Sequence, residues 1–379
     1  MADLYRVGQR ETLDILLKPN VVRGSKLYDT ININPDNPLL GNAPVGVRFN
    51  VKNGDYLNTV TMPNSVLQLP ATELEQLNDT YTPKSTPSST TAQWSTQEYS
   101  LFFKFTKKTI EDLKIKYDVA NGAPAEGKSL INALMSPLGR SLKNDITRHA
   151  FWSKTGVDFA ATYPSNTWGG GETVDTLPLK DGFMSQIQAA VTAGDVPNYP
   201  TVGLNGNILT PAQVIAMFEE VVNNAGYILS DLFYAEVSIQ EKPVMLVSTS
   251  VYQAYRRYLS STGDYNAHVF RGFDSQGNIL PEVKALQYEE CMVIAAADVF
   301  EDWAATSAGL RNQHYVILTS RDNLQLAYNF GSGDTAMMMK EYDQMSGGYG
   351  LGVSLNPRMD YKIAELSDNG MSVAGFVAP

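Results

Sequence analysis

The sequence predicts an α+β protein, and three stretches carry that expectation. Between Glu241 and Phe330, short apolar strands alternate with one dense amphipathic helix. From Lys128 to Lys154, apolar residues recur every three or four positions, as on one face of a long helix. From Val45 to Thr106, alternating segments flank a long polar stretch that holds too few apolar residues to make a core. At 379 residues the chain is long enough for a sizeable core. Its 43% hydrophobic and 18% charged content describes an ordered protein with an unusually uncharged surface, much of which is expected to face other protein.

Residues 1–45 contain one short helical candidate, Glu11–Leu17, followed by Asn- and Pro-rich text, and read as an extended arm that packs on something else. Val45, Val47, Phe49 and Val51 then alternate, Asn53-Gly54 is a hairpin signal, and Tyr56–Met62 reads as a second strand. A polar loop spans Asn78–Thr96, and the chain returns as Ser100–Thr106. This predicts a long two-stranded projection with a mobile tip, marginal alone and in need of a neighbour. Thr106–Lys116 reads as a short helix, and Gly122–Gly127 breaks it. Fully helical, Lys128–Lys154 would span about 40 Å, with a kink at Pro137. Ile131, Leu134, Met135, Leu138, Leu142, Ile146 and Ala150 form its apolar face, so Ile146→Asp is expected to prevent folding.

Residues 155–205, with Trp168–Gly171 and several prolines, read mostly as loop. Thr210-Pro211 is an N-cap with a first-turn proline. The helix it opens runs to about Ala225, with Gly226 placed to end it. Lys242–Ser248 reads as a buried strand, Thr249 and Ser250 as an N-cap, and Val251–Leu259 as a helix. Cys291–Phe300, Gln313–Ser320 and Asn323–Phe330 read as strands, with further β text around Gly347–Gly352, Met359–Glu365 and Met371–Val377.

The chemistry-bearing residues are sparse. A net charge of −11 and a pI near 4.8 argue against a dedicated nucleic-acid binder. A single cysteine, Cys291, excludes an intrachain disulfide framework and any cysteine-rich metal site; it opens an apolar strand and reads as a small buried hydrophobe. No apolar run approaches the roughly 18 residues of a membrane span. The first residues lack the pattern of a secretion signal, so a reducing cytoplasm is expected.

His149, His268 and His314 show no metal-ligand spacing and read as structural or surface residues. Gly331–Ala336 matches a weak dinucleotide fingerprint, which would require a helix to start there. Trp168–Gly171 lacks the Gly-Lys-Ser/Thr of a phosphate loop. Glu73 with Glu75, and Glu289-Glu290, read as solvated faces. Arg256-Arg257 and Lys107-Lys108 are isolated basic pairs, and Met337–Met339 read as a buried strand at a subunit contact. No catalytic, cofactor-binding or metal residue is assigned, no cofactor is expected, and the chain does not read as an enzyme. The alternative is an α/β enzyme with a site at the strand ends of 243–330.

The order of arm, projecting ribbon, long helix, α/β module and closing β segment resembles the major capsid protein of tailed bacteriophages, the Hong Kong-type capsid fold. The stretches that carry the resemblance are SLFFKFTKKTIEDLK (100–114) entering the helix 128–154, PVMLVSTSVYQAYRRYL (243–259), CMVIAAADVF (291–300), VILTSRDNLQLAYNF (316–330) and LNPRMDYKIAEL (355–366). The resemblance implies an N-terminal arm (1–45) and an extended β-hairpin loop (46–105). It implies a peripheral domain (106–204) with spine helix 128–154 and a loop-rich insertion, an axial α/β domain (205–335), and a C-terminal β segment (336–379) returning to the peripheral domain.

It further implies self-assembly into hexamers and pentamers of an icosahedral head around double-stranded DNA, with only weak non-specific contact to the packaged polymer and none to membrane. The implied location is the virion, after assembly in the host cytoplasm, with a portal protein as a partner. Some members of that family carry a helical scaffolding segment before the arm and this sequence shows none, so a separate scaffolding protein is expected, with a cleaved precursor as the alternative. Lys52 and Lys84 are available on the extended loop, but no partner Asn is identifiable and crosslinking is not expected. Another ring-forming virion component is the remaining alternative.

Overall fold

The structure is a computed structural model, and it describes residues 45–49, 51–61, 88–106, 146, 148–159, 176–199, 209–235, 242–263, 269–273, 279–289, 291–295, 311–320, 323–329, 337–344, 348–355 and 358–376. Residues 1–44 of the arm, 107–116 of the expected short helix, 128–145 and 147 of the expected long helix with Pro137, and the motifs at Trp168–Gly171 and Gly331–Ala336 lie outside the described residues, as does the tip of the projection.

The largest unit is a seven-stranded mixed sheet in the order β6-β16-β11-β7-β10-β9-β8. Its strands are β6 (Asn198–Tyr199), β7 (Val244–Val247), β8 (Val269–Phe273), β9 (Ile279–Tyr288), β10 (Cys291–Ala295), β11 (Arg311–Thr319) and β16 (Met371–Phe376). Helices α2 (Pro211–Asn223) and α4 (Thr249–Thr262) pack on it. Met245, Val247, Val293, Val316, Leu318 and Ala374 point into a core shared with Val214, Phe218, Val221, Val251 and Tyr255 of those helices.

The alternate residues Val244, Leu246, Ile317 and Val373 are buried as well. On that side Tyr315 meets the indole of Trp152, which ends the helical stretch 148–152, at a ring separation of 6.2 Å. Burial on both faces explains why Val244–Val247 is uninterruptedly apolar and does not alternate.

The observed caps differ from two of the sequence expectations. Thr210 caps α2 in a capping box with Gln213, as its pattern predicts, but the helix stops at Asn223 with Asn224 as its C-cap. Gly226 is instead the extended residue that opens α3 (Tyr227–Tyr234). A side chain at Gly226 would meet Asn369 and the Asp368 backbone at 2.7 Å, so close approach selects glycine there. The N-cap of α4 is Ser248, whose hydroxyl accepts from the Val251 amide, one or two residues before the expected Thr249 or Ser250.

Residues 155–205 contain more order than the sequence suggested. Helix α1 (Phe183–Ala193) lies there, with Phe183, Met184, Ile187, Ala190 and Val191 buried and Gly194 at +82° closing it. This repeat has helical period, but it sits between glycine- and proline-rich neighbours.

A second sheet of four strands has the order β1-β12-β15-β4. It is built from β1 (Val45–Phe49), β4 (Gln97–Glu98), β12 (Leu324–Asn329) and β15 (Arg358–Ile363), and α1 packs on β15. Around the expected boundary at 335/336 the strands interleave: β12 lies in this sheet, whereas β16 lies beside β11 in the seven-stranded one. A third sheet joins β13 (Met337–Gln344), β14 (Gly348–Leu355) and β5 (Leu101–Thr106). Met337–Met339 thus begin a strand, where a dinucleotide fingerprint at Gly331–Ala336 would need a helix.

The expected hairpin between Val45–Val51 and Tyr56–Met62 does not form. β1 runs parallel to β12, from Val45 opposite Leu324 to Phe49 opposite Tyr328. β2 (Tyr56–Thr61) pairs instead with β3 (Ser88–Gln93), inside the stretch that reads as polar loop. The physical reason is twofold: β12 offers β1 a buried strand to pair with, and the threonines of β3 are β-branched residues suited to a pleated ladder. Asn53-Gly54 still turns the chain, with Gly54 at φ +93°.

Candidate functional site

The feature with the most built-in geometry outside the main core is the root of the β2-β3 ribbon. Among the described residues these two strands form a sheet of their own, with no third partner. Six pairs, from Tyr56 with Gln93 to Thr61 with Ser88, give it a length of about 20 Å.

The root is closed by backbone and plugged by an indole. The Gly54 amide donates to the Trp94 carbonyl at 2.8 Å, and the Trp94 amide donates to the Asp55 carbonyl at 2.8 Å. The Trp94 side chain, 2% exposed, packs with Val51, Leu57 and Ala327 in a small cluster apart from the main core, flanked by Ala92 and Ala364.

One residue on, the chain meets a buried charge. The carboxylate of Asp360, on β15, is fully buried. It accepts from the Ser95 amide at 2.6 Å and the Tyr361 amide at 2.7 Å, and it pairs with the Lys180 ammonium. Lys180 also donates to the Ser95 carbonyl. Both backbone groups of Ser95 are therefore held by one ion pair.

The segment bearing Lys180 is itself fixed. Asp181 accepts from the Thr155 amide at 2.8 Å and the Ser185 hydroxyl at 3.0 Å. The Gln186 side-chain amide donates to the Tyr361 carbonyl at 2.9 Å. Beyond Ser95, β4 joins β15, and Arg358 forms an exposed pair with Glu98 at 2.8 Å. Burial, reinforced by the Asp360 charge, raises the Tyr99 hydroxyl above the ordinary phenol range.

The residues singled out from sequence fall elsewhere and do not converge. His149 is buried and shares a hydrogen bond of 2.7 Å with Thr176. His314 is buried 2.7 Å from the Ser250 hydroxyl, which itself lies 3.0 Å from Ser248. This Ser-His contact sits at the end of β7, where an enzyme site was the alternative, but Ser248 in it caps α4 and is 1% exposed. Cys291 is buried, with its thiol on the Pro243 carbonyl at 2.8 Å. Glu289 is exposed in a turn and adopts φ +44°.

His268, Glu73, Glu75, Glu290, Lys84, Lys107 and Lys108 lie outside the described residues. Among the described residues no group of three or more His, Cys, Asp or Glu could hold a metal ion, and no helix is long and apolar enough to cross a membrane. The sequence reading missed Trp94, Lys180 and Asp360. Only Trp94 left a signal, as a large aromatic within an otherwise polar run.

No family model matches the chain, and no curated protein matches it. Several solved structures are similar in arrangement. The satellite phage P4 procapsid including its size determination protein is 11% identical, covers 89% of this chain and 94% of its own, and has a TM-score of 0.44. The capsid of Myoviridae phage XM1 is 8% identical, covers 88% and 90%, and has a TM-score of 0.43. The holo-SrpI encapsulin complex from Synechococcus elongatus PCC 7942 is 8% identical, covers 86% and 84%, and has a TM-score of 0.38.

Proposed function

We propose that this chain is a shell-forming structural subunit of the tailed-phage major capsid type. In this reading it assembles into hexamers and pentamers of an icosahedral head that encloses double-stranded DNA. The observation that carries the reading is the ribbon: two strands built onto the body through a plugged and charge-clamped root, in a sheet that has no third strand among the described residues. The open edges of a two-stranded ribbon are templates for contact, so a neighbouring copy that covers it adds to the stability that the root supplies. Tyr56 at the ribbon root, 61% exposed, and Tyr227 and Tyr234 on α3, 60% and 65% exposed, are large rings open to such contacts.

The domain roles follow the same reading: arm 1–45, extended loop 46–105, peripheral domain 106–204, axial domain 205–335 and C-terminal segment 336–379. Partners are further copies of the chain, a scaffolding protein and a portal protein, in a virion assembled in the host cytoplasm. The net charge of −11 keeps contact with the packaged polymer weak.

The deciding experiment is expression of the full chain, with and without candidate scaffolding partners, followed by size-exclusion chromatography and negative-stain imaging. Closed shells or capsomers of five and six support the reading. A small oligomer of fixed size with no larger species, or open rings alone, would overturn it in favour of an enzyme or of a ring-forming component.

A further inference from the structure

We infer that Lys180 and Asp360 form a latch that fixes the angle at which the β2-β3 ribbon leaves the body. The capsid reading gives this latch its purpose, but its existence rests only on the geometry of one subunit. A fully buried carboxylate must be matched by donors, and Asp360 is matched by two backbone amides and one ammonium.

One of those amides belongs to Ser95, the first residue after the Trp94 plug, and the ammonium returns to the Ser95 carbonyl. The peptide groups on either side of Ser95 are thus tied, through charge, to two regions far away in sequence. A ladder hydrogen bond would let neighbouring residues slip in register. An ion pair that grips both backbone groups of a single residue adds a fixed point at that residue. Lys180 is in this sense a positioning residue: it acts on the ribbon through Ser95 and Asp360 and need not touch a neighbouring copy.

The test uses the full chain as an unassembled subunit and reads amide hydrogen exchange by mass spectrometry. In Lys180→Met, peptides covering 56–61 and 88–95 should exchange on the order of 100-fold faster, because removing one partner of a buried pair leaves the other uncompensated. Peptides covering β7 and β11 should be unchanged. Lys180→Arg, which keeps the cation, should restore protection.

Should Lys180→Met fail to fold, the double variant Lys180→Met/Asp360→Asn removes the stranded charge and is read in the same way. Unchanged exchange at 88–95, or a uniform rise across all strands, would overturn the latch. Particle imaging of the same variants bears separately on the capsid reading. Uniform shells from a subunit whose ribbon root has loosened would count against a fixed ribbon being needed for closure, and leave the latch standing.

Discussion

Truncating Trp94 to alanine should detach the ribbon while leaving the main core in place. The indole is 2% exposed and is the largest member of a cluster that otherwise holds Val51, Leu57 and Ala327. Burying a Trp removes about 150–250 Å² from water, which at about 25 cal/mol per Å² is worth about 4–6 kcal/mol. Trp→Ala changes in cores cost about 3–5 kcal/mol once cavity terms are counted. The upper part of that range applies here, because Ala92, Ala327 and Ala364 line the site and alanines cannot swing in to fill the void. Among the described residues the cluster shares no member with the core beneath α2 and α4, so the loss should appear as local opening. Exchange at 56–61 and 88–93 should accelerate by on the order of 100-fold or more, with β7 and β11 protected as before. Trp94→Phe should recover most of the protection. If Trp94→Ala exchanges like the parent in the ribbon, the plug does not hold it, and the account of the root fails.

Four further outcomes are expected. Asn323 is buried, its amide donates to Thr319, Glu365 and Gly370 at 3.0–3.1 Å, and its carbonyl accepts from the Glu365 amide at 2.8 Å; Asn323→Ala should lower urea stability by about 2–3 kcal/mol. Gly375 has φ +84° and an added Cβ would lie 2.0 Å from the His314 carbonyl, so Gly375→Ala should cost more than about 2 kcal/mol in the same assay. Burial, with neighbouring tyrosines and Glu289, raises the Tyr255 and Tyr288 hydroxyls above the ordinary value of 10.0. Their raised folded values favour the neutral form, so this stability is complete below about pH 10 and is lost as pH climbs towards the folded values; urea midpoints followed from neutral into alkaline pH should show the fall, and Tyr255→Phe should flatten it. Ser95→Ala should be neutral within about 0.5 kcal/mol, because the latch grips its backbone and not its exposed side chain, whereas Ser95→Pro removes the amide that Asp360 requires and should loosen 88–95 in hydrogen exchange.

Legibility in the sequence followed the range over which each signal acts. The strand Val244–Val247, the start of α2 at Thr210 and the turn at Gly54 are encoded within a few residues, and each was readable. The ribbon was half readable: β2 has an ordinary strand composition, but the serines and threonines of Ser88–Gln93 resemble loop until a partner is known. Helix α1 carried a clear period at Phe183, Ile187, Ala190 and Val191, obscured by the glycine- and proline-rich text around it. The pairing of Val45 with Leu324, and that of Lys180 with Asp360, join positions with no local pattern in common. Neither strand choice across the chain nor a buried ion pair leaves a periodic trace, so both emerged only in three dimensions.

The root of the ribbon separates two tasks between adjacent residues. Trp94 contributes affinity through its side chain, by burying area against small neighbours that any large ring would partly satisfy. Ser95 contributes direction through its backbone, held by charges that have no tolerance for a shift of one residue. An apolar plug alone would anchor the strands yet let them rock, because dispersion and burial are weakly directional. An ion pair alone would add little net stability, since desolvation offsets most of its attraction. Together they give a projection that is both retained and aimed. Loss of the plug should therefore lower the ribbon's opening free energy, and loss of the latch should in addition widen the range of angles it samples.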